Sequence, residues 1–119
     1  MDKLARDEAL EAVPFAPAIR EKHPLEDGGV KLIVDLPTRP LQQKLLRLPP
    51  TTKKEYELDP FGKEILEWCD GKNTVSEILK RFSAAHKMHP HESEKAVLTF
   101  LRTLITKGVL SLAINSDGQ

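Results

Sequence analysis

The chain has 119 residues, with 18 Lys plus Arg balanced by 18 Asp plus Glu, so it has room for one modest core and no net field favouring nucleic acid or an acidic partner. The single cysteine, Cys69, excludes an internal disulfide and suits a reducing compartment, and no apolar run has signal-peptide or membrane-span length. The expected setting is the cytoplasm, with neither nucleic acid nor membrane as a partner.

Residues 1–29 differ from the rest. A charged opening is followed by Pro14, Pro17, Pro24 and Gly28-Gly29, which reads as an amino-terminal extension, partly disordered and at most partly helical. Val30 to Leu36 then alternates, with Val30, Leu32, Val34 and Leu36 on one face and Lys31 and Asp35 on the other, the period of a half-buried strand ended by Pro37. Leu41, Leu45 and Leu48 follow at spacings of four and three, behind Thr38 and Pro40 and with no β-branched filling. A short helix ending before Pro49 is favoured here, with a strand as the alternative. Lys54 to Leu58 alternates Tyr56 and Leu58 with Glu55 and Glu57, so a strand leads into the next element.

That element is a helix beginning at Pro60. Asp59 can accept from a free first-turn N–H, and proline tolerates the first helical position because its missing donor has no partner there anyway. Phe61, Ile65, Trp68 and Cys69 recur at helical spacing, and Gly71 supplies the left-handed stop. Thr74 and Glu77 form a capping box for a second helix over about Val75 to His86, with Val75, Ile78, Leu79 and Phe82 on one face. A third helix spans about Pro90 to Lys107 and stops at Gly108. Its residues Val97, Leu98, Phe100, Leu101, Leu104 and Ile105 cover roughly 160° of the wheel, beyond the roughly 100° that a core-facing helix needs. Val109 to Ile114 reads as a closing strand before a flexible tail, residues 115–119. The fold class is α+β, a winged-helix-like domain over residues 30–114 with a small antiparallel sheet and a three-helix, helix-turn-helix bundle.

Chemistry-bearing clusters are sparse. His86, His89 and His91, with Glu92 and Glu94 beside them, straddle a helix end and a proline without the paired ligand spacing of a zinc site, so no metal is expected. His86 falls on the apolar stripe of its helix, where a packed, hydrogen-bonded histidine is the simpler reading. Cys69 has no electropositive neighbour in sequence to make it a thiolate. Gly28-Gly29 lacks the further glycine, lysine or helix start of a phosphate loop. The chain is read as a non-enzyme without catalytic residues or cofactor. Gly62 in a first helical turn is attributed to close packing, and Trp68, in the arc of Phe61 and Ile65, to the core.

The wording LDPFGKEILEWCDGKNTVSEI, followed by AVLTFLRTLITKGVL, resembles the PqqD family of pyrroloquinoline quinone biosynthesis and related peptide-modification pathways. The resemblance covers roughly residues 30–112 and rests on Asp70, Gly71, Thr74 and Val75 together with Phe100, Leu101, Leu104 and Gly108. It implies a non-catalytic peptide chaperone, or recognition element, that holds the leader of a ribosomally made precursor peptide as an added strand and presents it to a radical S-adenosylmethionine enzyme. Carried over, the peptide lies along Lys54, Glu55, Tyr56, Glu57 and Leu58 and against Leu98, Leu101, Arg102 and Ile105. The chain departs from the family pattern in reading LPPTTKKEYELD where a P-E-R wording is common, in having Ala96 where an acidic residue is frequent, and in the helix expected at Leu41 to Leu48.

The alternative is a winged-helix DNA-binding regulator. There the amino-terminal residues of the reading helix meet base edges, and here these are His91, Glu92, Ser93 and Glu94, which would set carboxylates against phosphate with no compensating basic footprint. Strand addition needs only an unpaired sheet edge and an adjacent apolar flank, and the physics favours it.

Overall fold

The computed structural model describes residues 10–113. They are mixed α+β, as the pattern implies, and fall into two compact units, residues 10–17 with 64–113, and Ala18–Lys63. In chain order the elements are β1 (Val13–Phe15), β2 (Ile19–Pro24), β3 (Val30–Pro37), α1 (Pro40–Leu46), β4 (Thr51–Leu58), α2 (Pro60–Trp68), α3 (Val75–His86), α4 (Pro90–Thr106) and β5 (Ser111–Ala113).

The Ala18–Lys63 unit is an antiparallel sheet in the order β2-β3-β4. Its central strand, β3, buries Val30, Leu32 and Val34, the alternate residues picked out by the period of two. The β2–β3 hairpin turns through Gly28, whose φ of 92° suits glycine, and is closed by Leu25 N–H donating to Gly29 O at 3.0 Å. Gly29 is required for a different reason. A Cβ there would stand 2.0 Å from Leu58 O, so only glycine lets β3 begin this close to the end of β4. The short helix favoured for Leu41 to Leu48 over a strand is present as α1, Pro40–Leu46.

Helix boundaries follow the capping chemistry, both at the start of α2 and in the other unit. Asp59 Oδ1 accepts from Gly62 N–H at 2.8 Å ahead of α2, and Gly71, at φ 82°, follows its end. Thr74 and Glu77 make the reciprocal box at α3, with Glu77 N–H to Thr74 Oγ1 at 3.1 Å and Thr74 N–H to Glu77 Oε1 at 2.7 Å. Ile65, Leu66 and Cys69 of α2, Val75, Ile78 and Phe82 of α3, and Val97, Leu101 and Leu104 of α4 are its principal buried side chains. Each is worth roughly 1.5–3 kcal/mol if a large aliphatic or aromatic side chain is removed from water.

Three expectations need correction. The segment before residue 30, read as at most partly helical, contains β1 and β2: β1 pairs with β5, Val13 opposite Ala113, and β2 pairs with β3, Lys22 opposite Leu32. Pro14 and Pro24 are compatible because β1 and β2 are both end strands, where a missing N–H on the outward side breaks no ladder, and Pro17 lies between them. Phe61, assigned to the buried stripe of α2, is 51% exposed, and Leu66 is buried instead. The closing strand is shorter than Val109 to Ile114: Val109 and Leu110 are buried but precede β5, while Ile114 and residues 115–119 lie outside the described residues.

Candidate peptide-binding surfaces

β4 is an end strand of its sheet, as is β2, and the two edges differ. β2 closes on Pro24 and carries a register shift between Ile19 and Glu21, both devices that spoil an edge for further pairing. β4 runs regularly from Thr51 to Leu58 without an internal proline, in unbroken register with β3. Residues directly opposite share a face, so Lys54, Tyr56 and Leu58 stand beside buried Val34, Leu32 and Val30, while Glu55 and Glu57 stand beside Ile33 and Lys31. Leu58 is buried, Tyr56 half-buried, and Lys54, Glu55 and Glu57 are exposed.

The remaining candidates occupy one flank of α4, at the i, i+3, i+4 and i+7 spacing that aligns helix positions. Leu98 is half-buried, Arg102 exposed and Ile105 36% exposed, whereas Leu101 is only 3% exposed and belongs to the core. The structure thus groups five candidates along β4 and four along α4. At the other end of α4, Glu92 is exposed and Glu94 half-buried, so carboxylates stand where a DNA-reading helix would offer donors.

The groups with reactive potential are engaged in structural work. Cys69 donates its thiol to Ile65 O at 3.3 Å, and burial, with a smaller contribution from the Asp70 carboxylate, pushes its pKa up to about 12, so it stays a thiol at neutral pH. His86 Nε2 meets Glu64 Oε1 at 2.5 Å and its ring stacks at a tilt on Phe82, with centroids 4.5 Å apart. This bond ties α3 to α2 across 22 residues, a pairing for which the sequence offers only the position of His86 on an apolar stripe. His89 precedes α4 and accepts from His91 N–H at 3.1 Å. Among the described residues, no three His, Cys, Asp or Glu side chains are grouped as metal ligands. An open cleft of about 430 Å³ is lined by residues that include Leu10, Ser76, Leu79, Ser83, Ala84 and Glu94. No helix among the described residues is long and apolar enough to cross a membrane.

No curated protein and no solved structure matches the chain. The family profile described as coenzyme PQQ synthesis protein D matches residues 45–110, which run from α1 through Leu110 and include every candidate on β4 and α4. That span exceeds half of the chain and supports a role in the biosynthesis of pyrroloquinoline quinone or of other ribosomally made, modified peptides. The edge strand, the three capped or glycine-stopped helices and this match agree, and the chain belongs to the PqqD family.

Proposed function

We propose that this protein is a non-catalytic recognition module that binds the leader of a ribosomally made precursor peptide and presents it to a radical S-adenosylmethionine enzyme. The observation carrying the reading is the contrast between the two end strands: β4 is regular and proline-free, whereas β2 is shifted in register and ends on proline. A peptide strand adding to β4 gains main-chain hydrogen bonds along Lys54 to Leu58. On α4, Leu98 and Ile105 offer apolar contact, Arg102 offers a cation to a carboxylate of the peptide, and buried Leu101 supports that flank from beneath. Family membership supports the same reading.

The test is a titration of the isotope-labelled full chain with synthetic peptides covering the short reading frames that flank its gene, followed by amide chemical shifts. Changes are expected in Lys54 to Leu58 and on the Leu98 to Ile105 flank. Successive strand N–H groups point to opposite edges, so of Glu55→Pro and Tyr56→Pro one removes an outward donor and weakens binding, while the other breaks the β3 ladder and lowers stability. Ile105→Asp should weaken binding without unfolding the chain. The proposal is wrong if no such peptide binds, or if shifts are confined to His86 to Glu94.

A further inference from the structure

β3 and β4 pair continuously from Val30↔Leu58 to Pro37↔Thr51. Two residues suffice to turn such a hairpin, yet residues 38–50 intervene, with hydrogen bonds across the neck and within the segment. Thr38 N–H donates to Pro50 O at 2.9 Å, the Thr38 and Thr52 hydroxyls bond at 2.7 Å, and Gln43 Nε2 donates to Thr38 O at 2.8 Å. Pro40 opens α1, and Arg47, left-handed at φ 53°, ends it ahead of Pro49-Pro50.

This order is not explained by burial. No residue of α1 is buried, and Leu41, Leu45, Leu46 and Leu48 are 67, 70, 64 and 39% exposed. Leu41 and Leu45 stand one helical turn apart on the same side. The charge is equally one-sided. Between Leu36 and Glu55 the chain carries Arg39, Lys44, Arg47, Lys53 and Lys54 and no carboxylate, although its overall net charge is zero. A preformed helix with exposed apolar anchors, carrying Lys44 and flanked by Arg39 and Arg47, has its ordering entropy removed before any partner arrives.

We propose that α1 is a docking helix for an acidic, apolar segment of a partner protein. Leu41 and Leu45 meet apolar side chains of that segment as i, i+4 anchors, and Arg39, Lys44 and Arg47 meet its carboxylates. A lipid surface fits less well, because interfacial helices present a longer apolar face with aromatic anchors, while α1 has seven residues, none aromatic, with Gln42 and Gln43 at its middle. The proposed anchors lie on α1 and its flanks, outside Thr51–Leu58, and the proposal does not depend on peptide addition to β4.

The probe is a phage-displayed library of random peptides panned at low salt on the immobilised full chain. Recovered peptides should be acidic and rich in apolar residues, and their recovery should fall about tenfold on Leu41→Ser/Leu45→Ser and on Arg39→Gln/Lys44→Gln/Arg47→Gln. Both variants alter exposed positions, so unchanged denaturation midpoints establish that they fold, and Tyr56→Pro, where folded, should leave recovery of these peptides intact. A pool without acidic bias, retention by both α1 variants, or loss only on Tyr56→Pro overturns the proposal. Flotation with phosphatidylglycerol vesicles that depends on the α1 leucines and resists competition by the acidic peptides would instead assign the surface to lipid.

Discussion

α1 and α3 are both short, both lie among polar neighbours in sequence, and both end on a non-glycine residue in the left-handed region, Arg47 at φ 53° and Lys87 at φ 50°. Their support is opposite in kind. α3 has a reciprocal capping box and buries Val75, Ile78 and Phe82, whereas α1 has no side-chain cap at Arg39 and buries nothing. Isolated helices this short are marginal in water, so α3 is held by packing, while α1 is held by the neck of its hairpin, through Thr38, Thr52, Gln43 and Pro50. A helix fixed at its base and free along its faces presents side chains without depending on them for its own folding.

The sharpest test of that contrast is truncation. Ile78→Ala should lower the unfolding free energy by about 2–4 kcal/mol, since Ile78 is fully buried, whereas Leu41→Ala or Leu45→Ala should change it by less than about 0.5 kcal/mol. Urea denaturation followed by far-ultraviolet circular dichroism measures both, and equal losses would mean that α1 shares a core after all. Next in size is the cap. Thr74→Ala should cost about 1 kcal/mol, while Arg39→Ala at the corresponding place before α1 should be neutral.

A smaller effect of opposite sign is expected where the two helices agree. Replacing Arg47 or Lys87 by glycine relieves a left-handed residue at the expense of a looser unfolded chain, and each should raise stability by about 0.5 kcal/mol, readable as a small upward shift in Tm. Smallest of all is the contribution of Asp70, in the turn leading into α3. Its carboxylate is held below the usual range, chiefly by the Lys72 N–H that donates to it at 2.9 Å. A lowered carboxyl pKa stabilises the fold above the ordinary carboxylate range and ceases to do so as pH falls through the lowered value. The midpoint difference between parent and Asp70→Asn should therefore shrink on acidification, and a difference that grows in acid contradicts the assignment.

What could be read from sequence was local. The limits of α3 follow from Thr74, Glu77 and the apolar spacing, and those of α4 from Pro90 and Gly108, because caps and stops act within a turn of the residues that make them. β3 was legible because one face is buried and the other is not. β1 and β2 were not, since Pro14, Pro17 and Pro24 read as breaks and the partners that make them strands lie far along the chain, for β1 at Ser111 to Ala113. Phe61 and Leu66 show a second limit: helical spacing identifies two neighbouring stripes, and tertiary packing decides which goes inside. On the candidate surfaces, alternation along Lys54 to Leu58 was evident, but the burial of Leu101 beside exposed Arg102 and Ile105 depends on how far the apolar arc of α4 is covered.

The amino-terminal strand also bears on where this protein can be cut. Ala12 O accepts from Val75 N–H at 2.9 Å and Pro14 O from Gly71 N–H at 3.0 Å, so residues far outside the family-matched span complete the entrance to α3. A chain shortened to residues 45–110 would strip β4 of its ladder partner and return those two donors to solvent. The part by which relatives are recognised is thus smaller than the part that must be inherited together, and shuffling between family members has to carry the segment from Ala12 onward as one piece.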